Sequence, residues 1–279
     1  MKKNNIISIL PLAEKIKQIE VFSPEIARKI QPGQFVIIRV HKNGERIPLT
    51  VAKKTPATGI LTIVFQEVGV TTTLLGRLKP GDALHDIAGP LGKAAEIMYY
   101  GNVVVVAGGV GAAEVLPVCG ALKSKGNTVD VIVGARSASM LILLDDLKMA
   151  SDRLFIATDD GTARDKGFVT DVLKKLVTAP GSGGISLVYS AGPVLMMKRV
   201  CEIAKEAGIR TVVSLNPIMI DGTGMCGSCR VTVSGKMKFA CVDGPEFDGD
   251  DINWDELENR VKLFSGQERE AIKKLNDKK

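Results

Sequence analysis

The chain has 279 residues, which is long for a single hydrophobic core, so we expect at least two cores. Its 37 Lys and Arg exceed its 31 Asp and Glu by a formal charge of +6, and the basic residues are spread too evenly to indicate nucleic-acid binding. No apolar run approaches the ~18 residues of a transmembrane helix, and Ser8 and Pro11 interrupt a short N-terminal run that does not resemble a signal peptide. We therefore expect a cytoplasmic protein without a membrane segment.

The first third of the chain, to about residue 95, alternates short runs of β-branched residues with turn residues. One helix is expected at 70–79, closed by Pro80 and Gly81. Several strands at this spacing predict an antiparallel β-barrel, which we assign to residues 1–98. The predicted strands cover 6–10, 16–22, 35–40 and 60–65.

From residue 102 the pattern changes to buried strands that alternate with helices. Strands are predicted at 103–107, 128–133, 154–158, 185–190 and 211–215, and helices at 112–125, 141–150, 168–177 and 194–207. This alternation is typical of a doubly wound parallel sheet in an α/β domain, which we assign to residues 99–216.

The remaining segment, 217–279, contains three of the five cysteines, in the order D-x4-C-x2-C-x11-C. A hairpin turning near Ser234-Gly235 would return Cys241 towards Cys229. A glycine-rich loop with C-x4-C-x2-C spacing is typical of a plant-type [2Fe–2S] cluster, and here Asp221 stands in place of the first Cys as an oxygen ligand. The predicted ligands are Asp221, Cys226, Cys229 and Cys241.

Three alternatives remain open for this loop. Zinc also binds C-x2-C pairs, but its structural sites favour Cys and His, and neither His41 nor His85 is nearby in sequence. A disulfide would need an oxidising compartment, for which the sequence gives no sign. Asp221 is also a common residue in glycine-rich turns, where it need not bind anything.

The stretch from 243 to 258 contains eight acidic residues and neither Lys nor Arg, and it ends in a predicted helix with Trp254 and Leu257. The simplest interpretation of these acidic residues is a solvent-exposed, negatively charged surface. Because the rest of the chain is basic, it is also a candidate docking surface for a partner subunit.

Glycines 108, 109 and 111 lie where the first strand of the parallel sheet meets its first helix. Such a turn lets the backbone approach a pyrophosphate, which the helix N-terminus attracts. Glycine is common at any strand-to-helix corner. The turn indicates a nucleotide site only because it follows a buried strand of the α/β half.

These motifs, together with Tyr189-Ser-Ala-Gly-Pro193 and the cysteine-bearing C-terminal segment, resemble the ferredoxin–NADP reductase superfamily over nearly the whole chain. The chain is most similar to its electron-transfer subunits, which serve NADH-dependent reduced-ferredoxin:NADP oxidoreductase, sulfide dehydrogenase and dihydroorotate dehydrogenase. An aspartate in the first cluster position, as Asp221 here, resembles the subunit of NADH-dependent reduced-ferredoxin:NADP oxidoreductase, whereas the dihydroorotate dehydrogenase subunit has four Cys. The resemblance implies FAD, a [2Fe–2S] cluster, NAD(H) or NADP(H), and a larger flavin or iron–sulfur partner subunit in a heterodimer.

For FAD, the resemblance implies two elements of the barrel. The family's Arg-x-Tyr-Ser motif is matched by Arg46, Pro48, Leu49 and Thr50, although Pro48 replaces the aromatic residue and the arginine lies one position further away. An arginine and a threonine that merely flank an edge-strand proline would look the same. The second element comprises Gly69, Thr71, Thr72 and Thr73, which are also ordinary residues for a helix start.

For the nicotinamide dinucleotide, the resemblance implies contacts from four turns of the α/β half. Glu114 and Ala191 replace the Pro and Cys of many relatives. Arg136 suits a 2′-phosphate or the diphosphate, and the resemblance favours NAD(H). The implied contacts are Gly109, Gly111, Arg136 with Gly134 and Ser137, Asp159 with Asp160 and Gly161, Gly192 and Pro193.

We therefore expect an electron-transfer flavoprotein subunit that moves electrons between NAD(P)H and its partner, and through the partner to ferredoxin. The sequence offers no catalytic acid, base or nucleophile, which places the terminal reaction elsewhere. The alternatives are an electron-transfer subunit of dihydroorotate or sulfide dehydrogenase, a self-contained NAD(P)H reductase for ferredoxin or an oxygenase, and a nucleotide-binding regulator whose cysteine loop binds zinc.

Overall fold

A computed structural model describes residues 2–163, 165–179 and 184–277. The described residues form a six-stranded sheet, a seven-stranded sheet and a two-stranded hairpin. None of the helices in these ranges is long and apolar enough to cross a membrane.

The N-terminal sheet is antiparallel, with strand order β1-β2-β5-β4-β3-β6. A bridge between Asn5 and Ala83 joins its two edges, so the sheet curves around its own apolar core as expected of a barrel. Its elements are β1 (Ile6–Ala13), β2 (Ile16–Phe22), α1 (Pro24–Lys29), β3 (Phe35–Arg39), β4 (Arg46–Thr55), β5 (Ile60–Gln66), α2 (Val70–Leu75) and β6 (Asp86–Leu91).

Three of these elements, α1, β4 and β6, were not predicted from the sequence. The predicted helix at 70–79 is too long, because α2 ends at Leu75 and Gly76 follows as its C-cap.

The second sheet contains the predicted alternation of strands and helices. Its elements are β7 (Asn102–Gly108), α3 (Gly111–Ser124), β8 (Thr128–Ala135), α4 (Leu144–Met149), β9 (Arg153–Thr158), β10 (Asp165–Lys166), α5 (Val169–Thr178), β11 (Ile185–Ala191), α6 (Val194–Glu206) and β12 (Arg210–Ser214). The strand order is β10-β9-β8-β7-β11-β12, all parallel. From β7 the chain adds β8, β9 and β10 on one side, and it then returns to add β11 and β12 on the other side. The strand order therefore reverses between β7 and β11, which is the topological switch point of the sheet. Ligands bind at the carboxyl edge of such a point.

The C-terminal segment folds onto both sheets. It comprises β13 (Arg230–Val233), β14 (Lys236–Phe239), α7 (Ala240–Asp243), β15 (Glu246–Asp248), α8 (Trp254–Val261) and α9 (Ser265–Asp277). The predicted hairpin is confirmed: β13 and β14 pair antiparallel, and both Ser234 and Gly235 have positive φ, as a type I′ turn requires. Part of the acidic stretch is a strand, since β15 pairs antiparallel with β12 at the edge of the parallel sheet.

Candidate cofactor-binding sites

A cavity of about 470 Å³ opens at the carboxyl edge of β7, β8 and β9. Five residues predicted to contact the nicotinamide dinucleotide line it: Gly109, Gly134, Arg136, Asp159 and Pro193. Ile16 and Gln66 of the barrel line the opposite side. The cavity therefore lies between the two sheets, where a dinucleotide bound at the parallel sheet would face the barrel.

Gly111 and Gly192 do not line the cavity but shape its floor. A Cβ atom on Gly111 would lie 2.3 Å from the carbonyl oxygen of Ala191. Gly192 has φ of +150°, and a Cβ there would lie 2.8 Å from Cε of Met196. The first turn of α3 thus approaches the end of β11 because Gly111 lacks a side chain, and the end of β11 approaches Gly108 and Met196 because Gly192 lacks one.

Sequence reasoning missed several residues of the cavity. Thr170 lies in the first turn of α5, and Leu195, Met196 and Arg199 lie in the first turns of α6. Arg199 also pairs with Glu202 at 2.8 Å. These residues could have been found from their position, because helices that follow the strands of a parallel sheet begin at its ligand-binding edge.

A second group of polar side chains lies between the barrel and the parallel sheet. The Tyr189 hydroxyl donates a 2.6 Å hydrogen bond to Oε1 of Glu246 on β15. Burial raises the pKa of Glu246 to about 7, with a further contribution from Glu96. Burial also raises the pKa of Glu114, in the first turn of α3, to about 7. Burial, reinforced by Glu246, holds the pKa of Tyr189 well above its usual range. Near neutral pH these residues can therefore hold protons.

The two elements predicted to contact FAD lie next to each other. Thr71 at the start of α2 donates a 2.7 Å hydrogen bond to Glu45, the residue before β4 and Arg46. Thr72 accepts the amide of Gly69, and Thr73 donates to the carbonyl of Gly69. These hydroxyls therefore stabilise the start of α2. Thr50, at the middle of β4, pairs with Phe35 of β3.

Asp221 and Cys226 are held together by the turn between them. The Asp221 carboxylate accepts the amides of Thr223 at 2.8 Å and Cys226 at 2.7 Å. These hydrogen bonds, the one from Thr223 first, lower the pKa of Asp221. Cys226 is exposed, and its sulfur lies 3.0 Å from the Ser228 hydroxyl. Burial raises the pKa of the Cys226 thiol, but the hydrogen bonds from Ser228 outweigh this and lower it.

Cys229 and Cys241 are buried, and their sulfurs lie 3.1 Å apart. The hairpin brings them together as predicted, and all five cysteines are free thiols. Burial and the Cys229 sulfur raise the pKa of Cys241. A metal that replaces the thiol protons would remove this cost, because its positive charge stabilises thiolates.

The loop has the features of an iron–sulfur site. Hydrogen bonding from the backbone of Gly224 opposes the rise in the pKa of Cys241, and that from the backbone of Ser228 helps to lower the pKa of Cys226. Gly222, Gly224 and Gly227 all have positive φ, which bends the loop around this position. Within the described residues, no three Cys, His, Asp or Glu side chains converge as a complete metal site. Three thiols and one carboxylate on a glycine-rich loop are nevertheless a donor set that fits a [2Fe–2S] cluster.

The cluster loop packs against the barrel. Phe35 and Ile37 of β3 form one apolar cluster with Met219, Cys229 and Cys241. A Cβ on Gly222 would lie 2.7 Å from Leu91 of β6, so the loop lies directly on the sheet.

Residues 216–253 match a family model described as the iron–sulfur cluster binding domain of dihydroorotate dehydrogenase B. A Thermotoga maritima protein, described as a dihydroorotate dehydrogenase B (NAD(+)) electron transfer subunit homolog, is 47% identical over 266 residues, covering 95% of this chain and 93% of the relative. The dihydroorotate dehydrogenase B electron transfer subunit of Desulforamulus reducens is 31% identical, covering 90% and 97%.

A solved structure described as NADH-dependent reduced ferredoxin-NADP oxidoreductase, studied for flavin-based electron bifurcation, contains a chain that is 45% identical. It superposes with a TM-score of 0.93 and covers 99% of this chain and 98% of its own. The similarity thus extends through the barrel, the parallel sheet and the cluster segment, and the chain belongs to the family of dihydroorotate dehydrogenase B electron-transfer subunits.

Proposed function

We propose that this chain carries FAD on the barrel, a nicotinamide dinucleotide in the cavity between the sheets and a [2Fe–2S] cluster in the C-terminal loop. It would pass electrons between NAD(H) and a larger partner subunit. When bound, FAD and the cluster supply the exchange between a two-electron hydride and single electrons. The proposed domains are 1–98 for FAD, 99–216 for the nicotinamide dinucleotide and 217–279 for the cluster.

The packing of the cluster loop on β3 is the observation that carries this proposal. Cys229 and Cys241 share an apolar cluster with Phe35, and Phe35 pairs with Thr50 on the proposed FAD strand. Neighbouring strands lie about 4.8 Å apart. The proposed FAD strand is therefore separated from two cluster ligands by one strand, which makes the route between the two cofactors short.

On the other side of the proposed FAD strand, the cavity supplies the nicotinamide site. The amide groups near Gly109 and the guanidinium of Arg136 suit the negative charge of a diphosphate. Arg46 would serve the FAD diphosphate in the same way. We propose NAD(H) as the substrate, supported by the relatives whose descriptions name NAD(+) or NADH.

The partner is proposed to be a larger flavin or iron–sulfur subunit, because the relatives are described as electron transfer subunits. We favour the reduced-ferredoxin:NADP type over the dihydroorotate type. Two observations support this choice: Asp221 stands in the first ligand position, and the 45% identical structure is of that type.

The test is anaerobic purification from the native cell extract. We expect a yellow-brown protein with about two irons per chain, bleached by NADH, that elutes with a larger chain. A protein with flavin and iron that elutes alone would favour the self-contained reductase. A colourless protein without iron would refute the proposal, and zinc in place of iron would support the regulator. Asp221→Ala, compared with Cys226→Ser, tests the fourth ligand: an unchanged electron paramagnetic resonance signal in the first variant would reassign it.

A further inference from the structure

Arg260, in the last turn of α8, reaches across to the cluster loop. Its Nη2 donates a 3.0 Å hydrogen bond to the carbonyl oxygen of Ser228, the residue before Cys229. The loop therefore has a contact with a cation from a separate helix.

The Nε atom of Arg260 is buried and has no hydrogen-bond partner in the described part of the chain. A buried guanidinium N–H without an acceptor is destabilising, because a charged group loses more hydration free energy than a neutral one when it leaves water. Acidic side chains are abundant nearby, but Glu258 pairs with Lys262 and Asp255 pairs with Lys198. None of the ion pairs in the described ranges uses Arg260. Arg260 is thus directed at the loop without a carboxylate partner of its own.

Helix α8 is held firmly enough to fix this contact. Leu257 is 1% exposed and packs with Met197 and Cys201 of α6 and Val213 of β12. The Asn253 side chain caps the N-terminus by accepting the amide of Glu256. Helix α8 therefore positions Arg260 relative to the parallel sheet and to β13, the strand that follows the loop.

The hydrogen bond to Ser228 also fixes the orientation of a peptide group. In a trans peptide the C=O and the following N–H point in opposite directions. Because the Ser228 carbonyl points to Arg260, the Cys229 amide points away from it. The preceding peptide group is held in the same way, because Arg230 donates to the Gly227 carbonyl. Amide hydrogen bonds to cluster sulfurs are one of the main determinants of the reduction potential.

We infer that Arg260 is a positioning residue that raises the reduction potential of the cluster, by its charge and by orienting the Ser228–Cys229 peptide. The inference rests on the proposed cluster. Three thiolates, one carboxylate and two sulfides outweigh the charge of two ferric ions, and one-electron reduction adds a further negative charge. A neighbouring cation that lacks a carboxylate partner stabilises the reduced form more than the oxidised form.

The test is a reductive titration of the cluster in the purified, cofactor-loaded protein, followed by electron paramagnetic resonance. We expect Arg260→Gln to retain iron and to change the reduction equilibrium about tenfold towards the oxidised form, which is a shift of about 59 mV to lower potential. Arg260→Lys keeps the charge and should shift the equilibrium less than about threefold. Lys262→Gln is the matched control, because it removes one positive charge from the exposed end of the same helix and should change nothing.

The other possible results either overturn or support the inference. If Arg260→Gln retains iron and titrates like Lys262→Gln, the inference is wrong. If Arg260→Gln loses iron, Arg260→Lys decides: a potential near that of the parent supports the role of the charge, and loss of iron or a tenfold shift shows that the arginine is only a structural anchor. An unsubstituted protein without iron would refute the proposed cluster itself, and the inference with it.

Discussion

Replacing Glu246 with glutamine should reduce the loss of unfolding free energy that the parent protein undergoes as the pH rises to alkaline values. Burial and Glu96 raise the pKa of Glu246 from 4.5 to about 7, so the folded protein holds a proton there that the unfolded chain releases. The folded-state pKa lies above the unfolded one. The associated stability is therefore fully present below about pH 4.5 and is lost as the pH rises to about 7.

The size of this effect follows from the two pKa values. A rise of about 2.5 units corresponds to about 3 kcal/mol of unfolding free energy, of which about 2 kcal/mol is lost between about pH 5 and about pH 8. Glutamine does not ionise, and its side-chain oxygen can still accept the hydrogen bond from Tyr189. Glu246→Gln should thus lose about 2 kcal/mol less stability than the parent over this range.

Urea unfolding of the cofactor-loaded protein at the two pH values, followed by circular dichroism, measures the difference. All other titrating groups are shared by the two proteins, so their contributions cancel. The control is Glu268→Gln, which removes an exposed carboxylate of α9 and should leave the pH dependence of the parent unchanged. If Glu246→Gln and the parent lose equal stability between about pH 5 and about pH 8, the carboxyl of Glu246 is not held in its protonated form.

Three further outcomes are expected. Arg136→Ala should raise the KM for NADH about tenfold with little change in kcat, because a charge-assisted hydrogen bond to a phosphate is worth about 1.5 kcal/mol; an unchanged KM in steady-state kinetics would remove Arg136 from the site. Gly111→Ala should lower the thermal midpoint, since its Cβ would lie 2.3 Å from a carbonyl oxygen, whereas Gly120→Ala in the same helix meets open space and should raise it. Cys229→Ser should lose iron while flavin absorbance remains, and Cys119→Ser, at a buried position of α3, should retain both; iron retained in Cys229→Ser would exclude that sulfur as a ligand.

The parallel sheet could be predicted because its strands are buried on both faces. Residues 103–107 are all apolar, and in the structure each of them is at most 1% exposed. Such a run between glycine-rich turns fits few other arrangements. The hairpin was also predictable, because Gly235 adopts the positive φ of such a turn more easily than residues with a side chain.

Strand β4 was not predictable in the same way. Its sequence, Arg46–Thr55, contains Pro48 and two consecutive lysines and has no regular apolar alternation. It is a strand because it pairs with β3 on one side and β5 on the other, with a register shift between Val51 and Lys53. Tertiary pairing of this kind overrides local propensity. Strand β15 has only three residues, too few for any periodic signal.

The residues of the candidate sites also differ in whether a local sequence pattern identifies them. The proposed cluster ligands could be named because their spacing along the chain is short, and the Asp221–Cys226 turn confines two of them to neighbouring positions. Arg260 and Glu246 could not be named, because each reaches its site from an element remote in sequence, and Arg199 was identifiable only from its position on α6, the helix that follows Pro193. Their side chains carry no local pattern that distinguishes them from other surface charges.

The position of Glu246 connects these sites. It lies five residues after Cys241, on a strand that pairs with β12, and its side chain accepts the Tyr189 hydroxyl from the strand between β7 and β12. A Cβ on Gly33, two residues before β3, would lie 2.6 Å from Oε1 of Glu246. The carboxyl thus touches the barrel, the parallel sheet and the strand that follows the cluster segment. Because ionising it places a charge at the junction of all three, the pH at which it ionises should affect how tightly they pack.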